Sequence, residues 1–150
     1  MTKTQAAYAI DGQIVSSDTF YKVACDPARH VVVEACAGAG KTWMLVSRML
    51  RALLDGAEPQ QILGITFTKK AAAEMLERLN TWLADFAAMD EAALVKELEA
   101  RGVAPEKAKE QAPLAQGLYL KLLQQGRSVQ IKTFHGWFAA LLRNAPLHVL

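Results

Sequence analysis

The sequence predicts an α/β fold, a parallel sheet flanked by helices with a small helical insertion. Three observations lead there. Short apolar runs at residues 30–34, 62–67 and 128–132 are each followed by a helical pattern, the alternation from which parallel sheets are built. The first run is joined to its helix by small residues, Ala35, Cys36, Ala37, Gly38, Ala39 and Gly40, that end in Lys41 and Thr42. Between the second and third runs lies a charged, helix-rich stretch at about residues 87–126, which reads as the insertion.

A chain of 150 residues, 52% apolar and 21% charged, can bury the core of one ordinary domain but not of several. Its formal charge of +2 gives bulk electrostatics no case for a nucleic acid, so any such partner must be read from local motifs. Cys25 and Cys36 lack metal-site spacing and read as free thiols of a reducing compartment. The first residues contain no uninterrupted apolar core of the signal-peptide kind, and no later run is long enough to span a bilayer. A cytoplasmic protein without a membrane partner is therefore expected.

In chain order, residues 7–15 alternate loosely about Asp11 and Gly12, a dipeptide suited to a tight hairpin turn. Residues 16–24 follow as a short helix, with Ser17 able to cap it, Phe20, Val23 and Ala24 on one face, and Asp26 and Pro27 ending it. A segment in this place reads equally as a packing helix or as a contact for a nucleotide base. Residues 30–34 are β-branched and apolar on both faces, as a central parallel strand should be. The loop after them is a phosphate cradle. Backbone N–H groups of a small-residue loop can point at phosphate oxygens, while Lys41 reaches the outer phosphates and Thr42 ligates magnesium at the helix start. Ala35 stands where the generic pattern has glycine. The helix predicted over 42–54 turns Met44, Leu45, Met49, Leu53 and Leu54 inward, places Arg48 and Arg51 elsewhere, and stops at Asp55 and Gly56.

The second run ends in Thr66, Phe67 and Thr68. It feeds a helix with Met75, Leu76, Leu79, Trp82, Leu83 and Phe86 on one broad face and a Glu74 to Arg78 pair on another. Because ligands of open α/β sheets sit at the carboxyl ends of strands, Thr66, Phe67, Thr68 and Lys69 are placed on the rim of the phosphate loop. Phe67 reads two ways, as an aromatic platform for nucleic-acid bases or as the last core residue of its strand. The insertion is predicted as helices over 90–101 and 105–125, interrupted by Gly102, Pro113 and Gly117. Its modest apolar faces are Leu94, Val95 and Leu98, then Leu114, Leu118 and Leu122, and no chemistry is legible in it. The third run leads into Thr133, Phe134 and His135 and a helix over 136–143, repeating the pattern of the second. His135 alone reads as a neutral histidine bonded to backbone, with nothing near it to suggest metal ligation.

The blocks EACAGAGKTWMLVSRMLRALLDG, ILGITFTKKAAAEMLERL and IKTFHGWFAALLR resemble, in order and spacing, the first motifs of superfamily 1 DNA helicases of the UvrD/RecB kind. They are most similar to the helicase and nuclease subunits of the AddA and RecB type. The resemblance implies a partial RecA-like P-loop NTPase fold, with residues 1–150 the N-terminal portion of a UvrD-like ATP-binding domain, 1A. It implies ATP and Mg2+ as cofactors, held by Ala35, Cys36, Ala37, Gly38, Ala39, Gly40, Lys41, Thr42 and Trp43. Lys41 would stabilise the transferred phosphate and Thr42 would hold the magnesium. The second and third blocks resemble motifs Ia and Ib, which line a single-stranded DNA track. Thr66, Phe67, Thr68, Lys69, Thr133, Phe134 and His135 would then lie along DNA, with Phe67 as the stacking platform.

Ala35 matches the family's own form of the loop. Tyr21 stands near the place where many relatives carry a glutamine that reads adenine, a departure shared with the RecB branch. The family's acidic pair that activates water does not follow Arg143, so the N-terminal part of a longer helicase is expected. Its implied work is ATP-driven unwinding of duplex DNA ends in double-strand-break repair, with an AddB/RecC-like partner. Two alternatives stand beside it: a nucleotide-binding module without turnover, and another P-loop class such as a small-molecule kinase. Parallel strands without further neighbours also predict an open edge and a tendency to aggregate.

Overall fold

The computed structural model describes residues 7–35, 40–146 and 148. The chain opens with an antiparallel hairpin, β1 (Tyr8–Ile10) and β2 (Gln13–Val15), with Tyr8 opposite Val15. Asp11 and Gly12 turn it at φ of 48° and 80°, the positive pair that a type I′ turn requires. Helix α1 (Ser17–Ala24) follows, capped by Ser16 rather than by Ser17. A cap must have extended backbone and reach the amide three residues on, and Ser16 accepts from the Thr19 N–H at 3.2 Å.

The core lies among four helices: α2 (Lys41–Leu54), α3 (Lys69–Ala88), α4 (Glu91–Ala100) and α5 (Pro105–Gln125). Val46, Leu50, Leu53 and Leu54 of α2 belong to one buried cluster with Met75, Leu79, Leu83 and Phe86 of α3. Leu94 and Leu98 of α4 and Ala108, Ala112, Ala115 and Leu118 of α5 belong to it too. The stretch expected as an insertion is thus part of the main core. Three details of the helices depart from the sequence expectation. Pro113 and Gly117 do not interrupt α5, which is continuous; Pro113 lies on its exposed side, and its missing N–H costs one helical hydrogen bond that packing along the opposite side offsets. That packed side is made of small residues that allow close approach to α3 and α4, whereas Leu114 faces outward. In α2, Leu45 is exposed and Arg51 is buried, because the Arg51 guanidinium donates to the carbonyls of Lys22 at 3.4 Å and Arg101 at 3.2 Å. On the surface, Glu74 lies 3.9 Å from Lys70, one turn earlier, in place of the expected pair with Arg78.

After a single 3-10 turn at Pro59–Gln61, β3 (Leu63–Thr66) pairs in parallel with β4 (Gln130–Thr133), Leu63 opposite Gln130 and Thr66 opposite Thr133. Helix α6 (Phe134–Arg143) starts directly at the end of β4. Residues 31–35 do not form the expected strand. They run without a ladder partner among the described residues; Val32 is 99% exposed, while Val33 packs toward Phe20, Tyr21 and Met44. An apolar, β-branched run becomes a strand only where a neighbouring edge takes up its amides. The fold is therefore mixed α/β with a parallel sheet of two strands instead of three. No helix among the described residues is long and apolar enough to cross a membrane.

Candidate functional site

Two surfaces carry the residues singled out by the sequence. The first is the start of α2. Gly40 caps the helix with φ 82° and ψ 17°, a left-handed conformation that favours glycine, and supplies no side-chain acceptor. The starts of α1, α3, α4 and α6 are each closed by a side-chain oxygen, from Ser16, Thr68, Asp90 and Thr133. The first amides of α2 have no such acceptor, and no acidic residue stands in its first turn. A helix start of this kind presents partial positive charge to an anion. Lys41 and Thr42 are exposed there, and Lys41 Nζ donates to the Ala35 carbonyl at 2.8 Å. Cys36, Ala37, Gly38 and Ala39, the remainder of the expected cradle, lie outside the described residues.

Beside Lys41 opens a cavity of about 450 Å³, within the size range of small-molecule sites. Gly40, Lys41, Ala35 and Glu34 line one end, and Tyr8, Phe20 and Tyr21 line the other. The rings of Tyr8 and Phe20 are 5.0 Å apart, and the Tyr8 and Tyr21 hydroxyls meet at 3.3 Å. That hydroxyl contact, followed by burial, pushes the Tyr21 phenol up to about 12, so it stays neutral over the physiological range. The cavity can take a molecule with an anionic end and a flat apolar end. Trp43 does not line it; its ring stands behind Tyr21 at 5.1 Å. Tyr8 and Phe20 were not legible as site residues. Their only signal was the position of the short helix ahead of the loop, because what brings Tyr8 to the site is the folding back of the hairpin.

Arg48 and Cys25 support this end of α2. Arg48 donates to the carbonyls of Ala24 at 3.2 Å, Asp26 at 2.6 Å and Arg29, clamping the turn that leads into residues 31–35. Cys25 is a buried free thiol that donates to the Met44 carbonyl at 3.8 Å, and burial pushes it up to about 11. The described residues contain no group of three or more His, Cys, Asp or Glu able to hold a metal ion.

The second surface is the carboxyl edge of β3 and β4. The parallel register places Thr66 beside Thr133, and the residues that follow, Phe67 and Phe134, have ring centroids 5.4 Å apart. Phe67 is 86% exposed, which overturns its reading as a core residue. The threonines have structural work as well. Thr68 accepts from the Ala71 N–H and Thr133 from the Gly136 N–H, both at 3.1 Å, while Thr66 donates to the Thr68 carbonyl at 2.9 Å. Lys69 and His135 are exposed in the first turns of α3 and α6. This rim is built by β3 and β4 alone, since residues 31–35 join it through no ladder.

Residues 17–149 match the family model of the UvrD/REP helicase N-terminal domain. The AddA-type ATP-dependent helicase/nuclease of Lactobacillus gasseri is 45% identical over 60 residues, covering 40% of this chain and 5% of that protein. Its namesake in Lactobacillus acidophilus is 40% identical over 78 residues, 52% of this chain and 6% of that protein. The protein of the same name from Levilactobacillus brevis is 52% identical over 54 residues, 36% of this chain and 4% of that protein. The chain thus spans only 4% to 6% of the length of these relatives. No solved structure matches it.

Proposed function

From the premise that the chain belongs to the UvrD/REP helicase N-terminal domain family, we propose that it forms the nucleotide-gripping and strand-contacting portion of an ATP-dependent DNA helicase. In this reading residues 1–150 are the N-terminal part of a RecA-like ATP-binding domain, 1A, in which residues 87–126 are the family's helical insertion. The exposed Phe67–Phe134 pair carries it. A phosphate site alone would suit many phosphotransfer enzymes, whereas two rings held side by side outside any core suit the stacking of single-stranded bases.

Lys41 exchanges the Ala35 carbonyl for the outer phosphates of ATP, and the open amides of α2 receive the phosphate oxygens. Tyr8, Phe20 and Tyr21 pack the base and ribose. Magnesium carried with the nucleotide keeps several waters and needs few protein oxygens, so Thr42 with no carboxylate cluster is a sufficient donor set. When bound, it neutralises charge on the phosphate oxygens. Lys69 and His135 flank the aromatic pair and face DNA phosphates. Glu34 is the single carboxylate lining the cavity, which favours a second, narrower reading in which these 150 residues hold nucleotide without turning it over. The names of the relatives join helicase and nuclease in one polypeptide of a larger assembly. From that we infer a parent that acts on DNA ends with an AddB-like partner.

The test measures two affinities on the chain. A fluorescent ATP analogue should bind with magnesium and lose about tenfold or more on Lys41→Ala, which removes a charge-assisted contact. Labelled oligo(dT) should lose about 1–3 kcal/mol of binding on Phe67→Ala. Nucleotide binding indifferent to Lys41 together with DNA binding indifferent to Phe67 would sink the reading. Phosphorylation of a small acceptor without any DNA effect would move it to a kinase.

A further inference from the structure

The junction between α4 and α5 reaches the back of the nucleotide cavity. Arg101, at the end of α4, is only 3% exposed, and its guanidinium lies among three aromatic rings. It stands 4.2 Å from the Trp82 centroid, 5.1 Å from Trp43 and 5.2 Å from Phe86. Its one ionic partner is Glu97 at 2.7 Å, and its Nε is buried without a hydrogen-bond partner among the described residues. As a core filler this is a poor choice. A buried charge with one carboxylate and an unmet donor is commonly matched or bettered in stability by an apolar residue of similar volume.

Its connections run toward the cavity. Trp43 is two residues beyond Lys41 and carries the ring of Tyr21 on its other side at 5.1 Å. The Arg101 carbonyl accepts from Arg51, two turns further along α2, so one residue grips that helix at two levels. Gly102 has φ 85°, and a Cβ there would stand 2.5 Å from Lys22 Cα and 2.7 Å from the Tyr21 carbonyl. The α1 backbone therefore rests directly on the same junction. Tyr21, Trp43 and, through the first turn of α2, Lys41 all take their positions from residues 101–102.

We propose that Arg101 is a positioning residue for nucleotide: its stack on Trp43 and Trp82 fixes the start of α2 against α1, coupling the helical pair α4–α5 to the grip of Lys41 and Tyr21. The proposal rests on the nucleotide reading of the cavity. A displacement of a helix start by about 1 Å is enough to spoil the alignment of a bound group, with losses that can reach a hundredfold.

The test compares Arg101→Met, Arg101→Lys and Leu94→Ala, the last a buried α4 position outside the stack. Arg101→Met keeps volume without charge. It should melt within a few degrees of the parent chain yet bind the fluorescent ATP analogue about tenfold more weakly, with altered tryptophan emission. Arg101→Lys should recover part of both losses, and Leu94→Ala should lower the melting temperature without this loss of affinity. Unchanged affinity in Arg101→Met, or affinity that falls with melting temperature in all three, would overturn the proposal. If the parent chain shows no Lys41-dependent binding, the nucleotide reading fails by itself. Amide exchange at residues 40–47 then decides: faster exchange in Arg101→Met, with α4 and α5 unchanged, supports the positioning role, and equal exchange overturns it.

Discussion

Cys25 shows how much of the nucleotide end depends on single buried groups. Its thiol lies against the Met44 carbonyl, three residues beyond Lys41, and burial pushes it from an ordinary 9.0 up to about 11. The folded state therefore favours the protonated thiol. Below pH 9 the thiol is protonated in both states and favourable burial is fully present. As pH rises from 9 toward 11 the unfolded chain ionises first and stability falls. The urea midpoint should accordingly drop across that window, and Cys25→Ala should flatten the slope there; an equal slope in the variant would exclude the thiol as its source. Lys41, Thr42 and Phe67 were legible because their chemistry resides in residue type and spacing. Tyr8, Phe20 and Arg101 were not, because each acquires its role from a partner that the folded chain brings to it, Tyr21 for the first two and Trp43 for the third.

At the scale of elements, helices were read well and their boundaries less so. The period of apolar residues marks α2 and α3, but it does not say which of two serines caps α1, a choice made by the reach to Thr19. Nor does it separate a helix broken at Pro113 from one that packing carries through it. That second point is testable. Pro113 lies on the exposed side of a continuous α5, so Pro113→Ala restores an amide donor to the Lys109 carbonyl and removes the ring's clash with it. Chemical denaturation should register a gain of about 1–3 kcal/mol, within the helix-interior cost of proline. A loss of stability instead would mean that a bend at Pro113 is needed for α5 to follow α3 and α4. The strand expected at residues 30–34 failed for a different reason. Composition reports that a run is fit to be buried, while a ladder depends on an edge that the run itself does not encode.

The same distinction governs the whole molecule. Its core lies among α2, α3, α4 and α5, and the opposite side, around β3, β4 and α6, leaves apolar surface in solvent. Phe134, Phe138, Leu141 and Leu142 recur at helical spacing along α6, and none of the helix's residues is buried. Leu63 and Val32 are exposed as well, and the two-stranded sheet has unpaired edges among the described residues. An apolar stripe beside open strand edges is the usual template for association between chains. The chain should therefore sediment as a concentration-dependent mixture. Phe138→Lys combined with Leu142→Glu places opposite charges one turn apart on the exposed stripe, which should shift the mixture toward monomer. Because neither side chain is buried, the melting temperature should change little. Two outcomes count against this: a wild-type chain that stays monomeric at high concentration with a sharp cooperative melt, or a double variant that associates as before, which would move the contact from α6 to the sheet edges.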